Sequence, residues 1–89
     1  SGMVRIHTLR RGRAEAIEAI AQGNRGDMRV VGRKVEDVPL PKGARINVIV
    51  RGDEVLQAHH DTVIQSGDHL ILFVSDRRQI QLVERLFRP

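Results

Sequence analysis

Short aliphatic runs rich in β-branched residues, each ended by a glycine-containing turn, constrain the fold of this chain more than any other feature. Such runs predict strands, because Val and Ile pack well on a pleated sheet and glycine adopts the turn conformations. The predicted strands are Val4 to Leu9, Met28 to Val35, Ile46 to Val50, Val55 to Ala58 and His69 to Ser75, with a short extended piece at Thr62 to Ile64. The residues expected to shape the turns are Gly32, Gly52, Asp53, Gly67 and Asp68.

Two segments have helical patterns instead. Residues Ala14 to Ala21 repeat aliphatic side chains at i, i+3 and i+4, which predicts a short alanine-rich helix ended by Gly23. Asp76 fits the N-cap of a second helix that runs to Phe87. The sequence therefore predicts an α+β fold: a small mixed or antiparallel sheet, a short helix near the N-terminus, and a C-terminal helix packed on the sheet.

The size and composition of the chain limit its core. With 89 residues it is expected to form one domain, residues 3–89, and Ser1 and Gly2 are interpreted as a remnant of cloning. Phe73 and Phe87 are the only aromatic residues, so the core must be built from Val, Ile, Leu and Ala. A small core of this kind favours self-association. The absence of cysteine excludes disulfides and thiolate metal sites.

The charge pattern bears on the possible partners. Fifteen basic and 11 acidic residues give a net charge of +4, and the few aromatic residues argue against nucleic-acid binding by stacking. Arg10, Arg11 and Arg13 precede the predicted first helix, where they could bind an anion such as phosphate. The alternative is a solvated loop, or ion pairs with Glu15, Glu18 or a partner subunit. No apolar run approaches the roughly 18 residues that a membrane span needs.

No catalytic or metal-binding arrangement is predicted. His59 and His60 are neighbours, and neighbouring side chains of an extended segment point to opposite faces, so they do not readily share one ion. Ser66 and Ser75 lie in no nucleophile-elbow context. The paired carboxylates, such as Asp53 with Glu54, fall in predicted turns where exposure keeps carboxylates ordinary. We therefore expect a protein that is not an enzyme.

An ordered set of segments runs through the chain: Val31 to Arg33, Asp37, Leu40 to Pro41, Ile49 to Leu56, Asp61 to Ile64 and Gly67 to Leu70. Taken together, this set resembles the C-terminal regulatory domain, called TrkA-C or RCK-C, of bacterial potassium-uptake regulators. The lead-in from Val4 to Gly12 and the ending from Val83 to Phe87 are similar to the last such domain of these proteins. The resemblance covers nearly the whole chain from Met3.

The resemblance implies a function that the residues alone do not. It implies a regulatory domain of a Trk-type potassium-uptake system that binds non-catalytically and dimerises to control a membrane channel or transporter. The alternative is a ligand-sensing module for a nucleotide or cyclic dinucleotide, attached to another ion transporter. The expected partners are a second copy or higher homo-oligomer and a membrane potassium channel or transporter subunit, but no nucleic acid.

The resemblance also implies where cofactor chemistry would lie. Proteins with this domain usually carry an upstream domain that binds NAD or another nucleotide. This chain has no Gly-x-Gly-x-x-Gly motif, so no cofactor is expected within it. The implied location is cytoplasmic, peripheral to the inner membrane.

Overall fold

The computed structural model describes residues 4–9, 14–22 and 30–88. Its strands are β1 (Val4–Leu9), β2 (Ala14–Ile20), β3 (Ala44–Arg51), β4 (Glu54–Gln57) and β5 (His69–Val74). They form one five-stranded sheet in the order β1-β2-β5-β3-β4, and every neighbouring pair is antiparallel. Two short 3₁₀ turns, Val35–Asp37 and Arg77–Gln79, and one helix, α1 (Ile80–Phe87), complete the described elements. The predicted α+β class is confirmed.

The alanine-rich segment is a strand, so the predicted N-terminal helix is wrong. In β2 the residues Glu15, Ile17 and Ala19 are buried, while the residues between them are partly exposed. β2 pairs with β1 on one side and β5 on the other, where Ile17 lies opposite Leu72. Its aliphatic residues satisfy a helical period and an alternating period equally well. Hydrogen bonding to two neighbouring strands selects the extended form.

The predicted strand from Met28 to Val35 is also wrong over its described part. Residues 30–34 form bends and turns, and only Lys34 makes a bridge, with Val63. Gly32 interrupts the extended backbone with φ of +88°. Its N–H donates to the carbonyl of Ile64 at 2.8 Å, which ties this segment to the predicted extended piece around Val63.

The core lies between the sheet and α1. One face of the sheet, here called the inner face, and α1 contribute most of the buried apolar side chains: Ile17, Ala19, Ile46, Ile49, Leu70, Leu72, Val74, Ile80, Val83 and Phe87. Asp76 was predicted to cap the C-terminal helix; it accepts a hydrogen bond from the backbone N–H of Arg78 at 2.9 Å and so caps the 3₁₀ turn Arg77–Gln79 that leads into α1. The C-terminal helix therefore packs on the sheet as predicted.

A β-bulge at Asn47 shapes the middle of β3. Ile46 lies opposite Leu72 of β5, whereas Val48 lies opposite Ile71, so Asn47 is the extra residue. Because of this insertion, Ile46 and Ile49 both reach the core although they are three positions apart. The bulge thus moves the strand's alternation by one residue.

Candidate functional site

The face of the sheet opposite α1, here called the outer face, is largely apolar and partly exposed. Strand alternation places on it the side chains of Ala16, Glu18, Ile20, Arg45, Val48, Val50, Val55, Gln57, His69, Ile71 and Phe73. Phe73 is 48% exposed and Val55 is 74% exposed. Large apolar side chains grouped on one uncovered sheet face are typical of a surface that binds another molecule.

A groove of about 380 Å³ opens at one end of the outer face, beside the bulge. Its walls include the side chains of Arg45, Asn47 and Phe73, and its end is closed by Gly43 and Ser75. Among the described residues, neither the Arg45 guanidinium nor the Asn47 amide makes a hydrogen bond or ion pair. The groove is therefore lined by an aromatic residue, a cation and an amide, and the side chains of the last two have no partner among the described residues.

Gly43 explains the close approach at the end of this groove. It has φ of +89°, and a Cβ added there would lie 2.7 Å from Ser75 Oγ. The backbone N–H of Ser75 and its hydroxyl both donate to the Gly43 carbonyl, at 3.0 and 3.3 Å. Only glycine combines this backbone conformation with this contact.

One polar pair lies within the apolar stretch of the outer face. The Nδ1 atom of His69 lies 3.0 Å from Oε2 of Glu18, linking β5 to β2. The side chains of His69 and Glu18 are 43% and 25% exposed, so the pair retains contact with water in the single chain. A partner covering this face would have to accommodate both groups.

A partly buried ion pair links segments at the other end of the sheet. Arg51 donates from Nε and Nη2 to the two carboxylate oxygens of Asp68, each at 2.9 Å, and from Nη2 to the Val63 carbonyl at 2.9 Å. The backbone N–H of Gln65 also donates to Asp68 at 2.9 Å. Asp68 is 1% exposed. The fork joins the end of β3 to the loop that leads into β5.

Burial and hydrogen bonding act in opposite directions on Asp68. Burial pushes the pKa of the Asp68 carboxyl upwards, but the bonds from Arg51 and Gln65 and the nearby positive charges outweigh burial, so that this pKa is lowered. The bond to Asp68 raises the pKa of Arg51 despite its partial burial. In its charged form the Arg51–Asp68 pair holds the end of β3 against the loop before β5, and it is called the clamp below.

The sequence-predicted site residues are dispersed. Arg10, Arg11 and Arg13 lie outside the described residues, so their anion-binding role stays a prediction. Gly32, Gly52 and Gly67 have positive φ, and Gly52 and Asp53 form the turn between β3 and β4. Asp68, expected to shape a turn, is the buried partner of Arg51. The residues that line the groove were not singled out by the sequence, since a bulge leaves no recognisable motif.

The histidines are separated. The Nδ1 atom of His60 lies 3.1 Å from Oε2 of Glu36, and the backbone N–H of His59 donates to the hydroxyl of Thr62. Within residues 4–9, 14–22 and 30–88, no group of three His, Asp or Glu side chains is arranged to hold a metal ion. None of the helices in the described part of the chain has the length and apolar character that a membrane span requires.

Comparison with known proteins identifies the family of this chain. The TrkA-C domain profile matches residues 27–88, and the chain belongs to the TrkA-C domain family. The matched region contains β3, β4, β5 and α1, whereas β1 and β2 precede it. The family resemblance expected from the sequence is confirmed.

Named relatives extend the match to almost the whole chain. The Trk system potassium uptake protein TrkA of Halomonas elongata is 58% identical over 86 residues, which cover 97% of this chain and 19% of that protein. The protein of the same name in Vibrio alginolyticus is 48% identical over 98% of this chain and 19% of its own length. The Haemophilus influenzae protein is 40% identical over 94% of this chain and 18% of its own length. The chain thus spans about a fifth of the length of these curated relatives.

Proposed function

We propose that this chain is a regulatory domain of a Trk-type potassium-uptake system and acts by binding rather than by catalysis. The observation that carries the proposal is the 58% identity to a Trk potassium uptake protein over 97% of the chain. The fold agrees with this role, because the described residues present an uncovered apolar face and a structural ion-pair clamp.

The proposed action is a change in how subunits pack. The outer face self-associates, forming a dimer or higher oligomer, and this assembly contacts a membrane potassium channel or transporter subunit from the cytoplasmic side. A nucleotide bound elsewhere in the complete protein would shift the arrangement of these domains, which couples two sites without chemistry in either. Support comes from Phe73 and Val55, whose exposure leaves apolar area available for burial between copies.

The test is potassium uptake in cells that depend on the complete protein. Deleting this domain should abolish regulated uptake. Phe73→Glu should weaken uptake and lower the self-association seen by sedimentation, because it places a charge on the outer face. Val63→Glu is a matched control, since Val63 is 46% exposed, close to the 48% of Phe73, and lies outside the outer face. Normal regulated uptake after deletion of the domain would overturn the proposal.

A second candidate is a module that senses a nucleotide or cyclic dinucleotide, and the groove favours it. Phe73 could stack on a base, Arg45 could pair with a phosphate, and the Asn47 amide could bond a base edge. In this candidate the ligand binds the groove of a domain attached to an ion transporter and alters the packing of that domain.

Calorimetric titration separates the two candidates. Cyclic di-AMP, cyclic di-GMP and ATP are titrated into the chain and into the variants Arg45→Ala and Arg33→Ala. Binding should weaken about tenfold or more in Arg45→Ala, the loss of one charge-assisted phosphate contact, and stay unchanged in Arg33→Ala, which alters an exposed arginine away from the groove. No heat and no shift in melting temperature with any of the three would rule out this candidate for these ligands.

A further inference from the structure

Strand β4 forms an open edge of the sheet. In the order β1-β2-β5-β3-β4 it has β3 on one side and no strand on the other among the described residues. Val55 at its centre is 74% exposed, and Glu54 and Gln57 are exposed as well. An edge without proline or lysine is a template for another strand. Residues Glu54–Gln57 contain neither.

Along β4, the backbone N–H and C=O groups point alternately towards β3 and away from the sheet. Arg51 and Glu54 flank the two-residue turn and lie opposite each other, and such a pair exchanges both of its hydrogen bonds across the hairpin. Leu56, two residues after Glu54, also points its backbone groups towards β3. The N–H of Ala58 does the same, because it donates to the Asn47 carbonyl at 3.1 Å. The N–H and C=O groups of Val55 and Gln57 therefore point away from the sheet.

We propose that β4 pairs antiparallel with β4 of a second copy of this chain, with Leu56 at the two-fold axis. In this register, Val55 of each copy lies opposite Gln57 of the other, so the backbone groups that point away from each sheet face one another. The inference rests on the self-association proposed above and adds an edge to it, separate from the outer face. About four main-chain hydrogen bonds would form, so the edge alone gives weak binding that a second contact or a tether strengthens.

Polar complementarity favours this antiparallel partner, because a histidine ring N–H can donate a hydrogen bond to a carboxylate. Exposed Asp53 and Glu54 lie at one end of the edge, and exposed His59 follows the other end. The proposed register places Asp53 of each copy opposite His59 of the other. A parallel arrangement would place acidic side chains beside acidic ones. The edge therefore fits a second copy of itself better in this register than in the parallel one.

Cysteine crosslinking tests the register directly, because the chain contains no cysteine of its own. The variants Val55→Cys and Gln57→Cys are mixed, oxidised and resolved by mass. Opposed positions in an antiparallel pair meet the distance that a disulfide needs, so the mixed crosslink should exceed the statistical mixture about fivefold. Val63→Cys, mixed with Gln57→Cys, is the control and should give only the statistical ratio. A statistical ratio from the first mixture would overturn the proposal.

A second variant tests the main-chain bonds. Val55→Pro removes an N–H that faces solvent, a position where an edge strand tolerates proline. It should keep its circular dichroism spectrum and lose concentration-dependent association in sedimentation, whereas Val55→Thr, which keeps the N–H, should retain association. Equal association of both variants would contradict edge pairing.

These outcomes separate this inference from the proposed function. Statistical crosslinking together with uptake lost on domain deletion overturns the edge pairing alone. Register-specific crosslinking together with normal uptake after domain deletion supports the edge pairing and overturns the regulatory role.

Discussion

Two buried carboxylates, at opposite ends of the sheet, are held in different ways. Asp68 accepts two hydrogen bonds from Arg51 and one from the backbone of Gln65, all at 2.9 Å. Glu15 is 0% exposed; among the described residues neither of its carboxylate oxygens has a hydrogen-bond partner, and its ion pair is with Arg77 at 3.2 Å. Only the first site replaces the lost water with well-directed bonds.

The difference shows that burial alone does not reveal what a charged group contributes. Asp68 links the end of β3 to the loop that leads into β5 through directed hydrogen bonds, so that its charge is compensated where it is buried. Glu15 lies at the start of β2, opposite Val74, where its burial follows from strand alternation. It depends on an arginine whose own side chain is 69% exposed. The two sites should therefore respond differently when their cations are removed.

Removing the cation of the well-bonded site should have the largest effect. Arg51→Ala leaves the buried Asp68 with one backbone donor, and we expect the free energy of unfolding to fall by about 3 kcal/mol. Urea unfolding followed by circular dichroism measures this. Arg51→Lys should recover only part of the loss, because lysine lacks the bidentate fork. Arg45→Ala, at an exposed arginine whose side chain makes no bond among the described residues, is the control and should change stability by less than about 0.5 kcal/mol. A change that small in Arg51→Ala would contradict the assignment of a clamp.

Removing Arg77, the cation beside Glu15, should have a smaller effect, and this effect should depend on the charge of Glu15. Arg77→Ala should lower the free energy of unfolding by about 1 kcal/mol, because Glu15 then loses its charge partner. Glu15→Gln should be neutral or stabilising, since an amide needs no counter-charge. In the Glu15→Gln background, Arg77→Ala should have almost no effect, as a double-mutant cycle in urea would show. Equal losses in both backgrounds would mean that Arg77 stabilises through other contacts.

The smallest expected effect is a dependence of the free energy of unfolding on pH. The folded pKa of Asp68 is lowered below its ordinary 3.8, so the unfolded chain takes up the proton first as pH falls. The stability that this group contributes is therefore complete above about pH 5 and is lost as pH falls through 3.8 towards the folded pKa. Urea midpoints measured from pH 6 to pH 2.5 should fall less steeply in Asp68→Asn. An unchanged slope in Asp68→Asn would refute the linkage.

The sequence predicted the elements whose causes are local. The hairpin of β3 and β4 has its turn at Gly52, between two aliphatic runs, and Asp76 caps the 3₁₀ turn that leads into α1. Both depend on residues within a few positions of each other. The strand β5 was predicted by its continuous apolar run, Leu70 to Val74.

The sequence could not predict what depends on distant partners. The segment Ala14–Ile20 fits a helix and a strand, and only its pairing with β1 and β5 decides between them. Arg51 and Asp68 are 17 positions apart, with no motif to connect them. Asn47 gives no sign of a bulge, so the groove beside it, with Arg45 and Phe73, was missed. The arginines Arg10, Arg11 and Arg13 were singled out by their clustering, and their role stays a prediction.

The position of β2 between β1 and β5 has a consequence for the order of folding. The β3–β4 hairpin closes a two-residue loop, whereas β2 must meet β5, whose His69 lies opposite Ile20 across most of the chain. Long loops close more slowly, so we expect the hairpin to form early and β2 to dock late, bringing β1 with it. Stopped-flow kinetics would show this as slower folding in Ile49→Val but mainly faster unfolding in Ile17→Val. The reverse pattern would place the N-terminal strands in the folding nucleus.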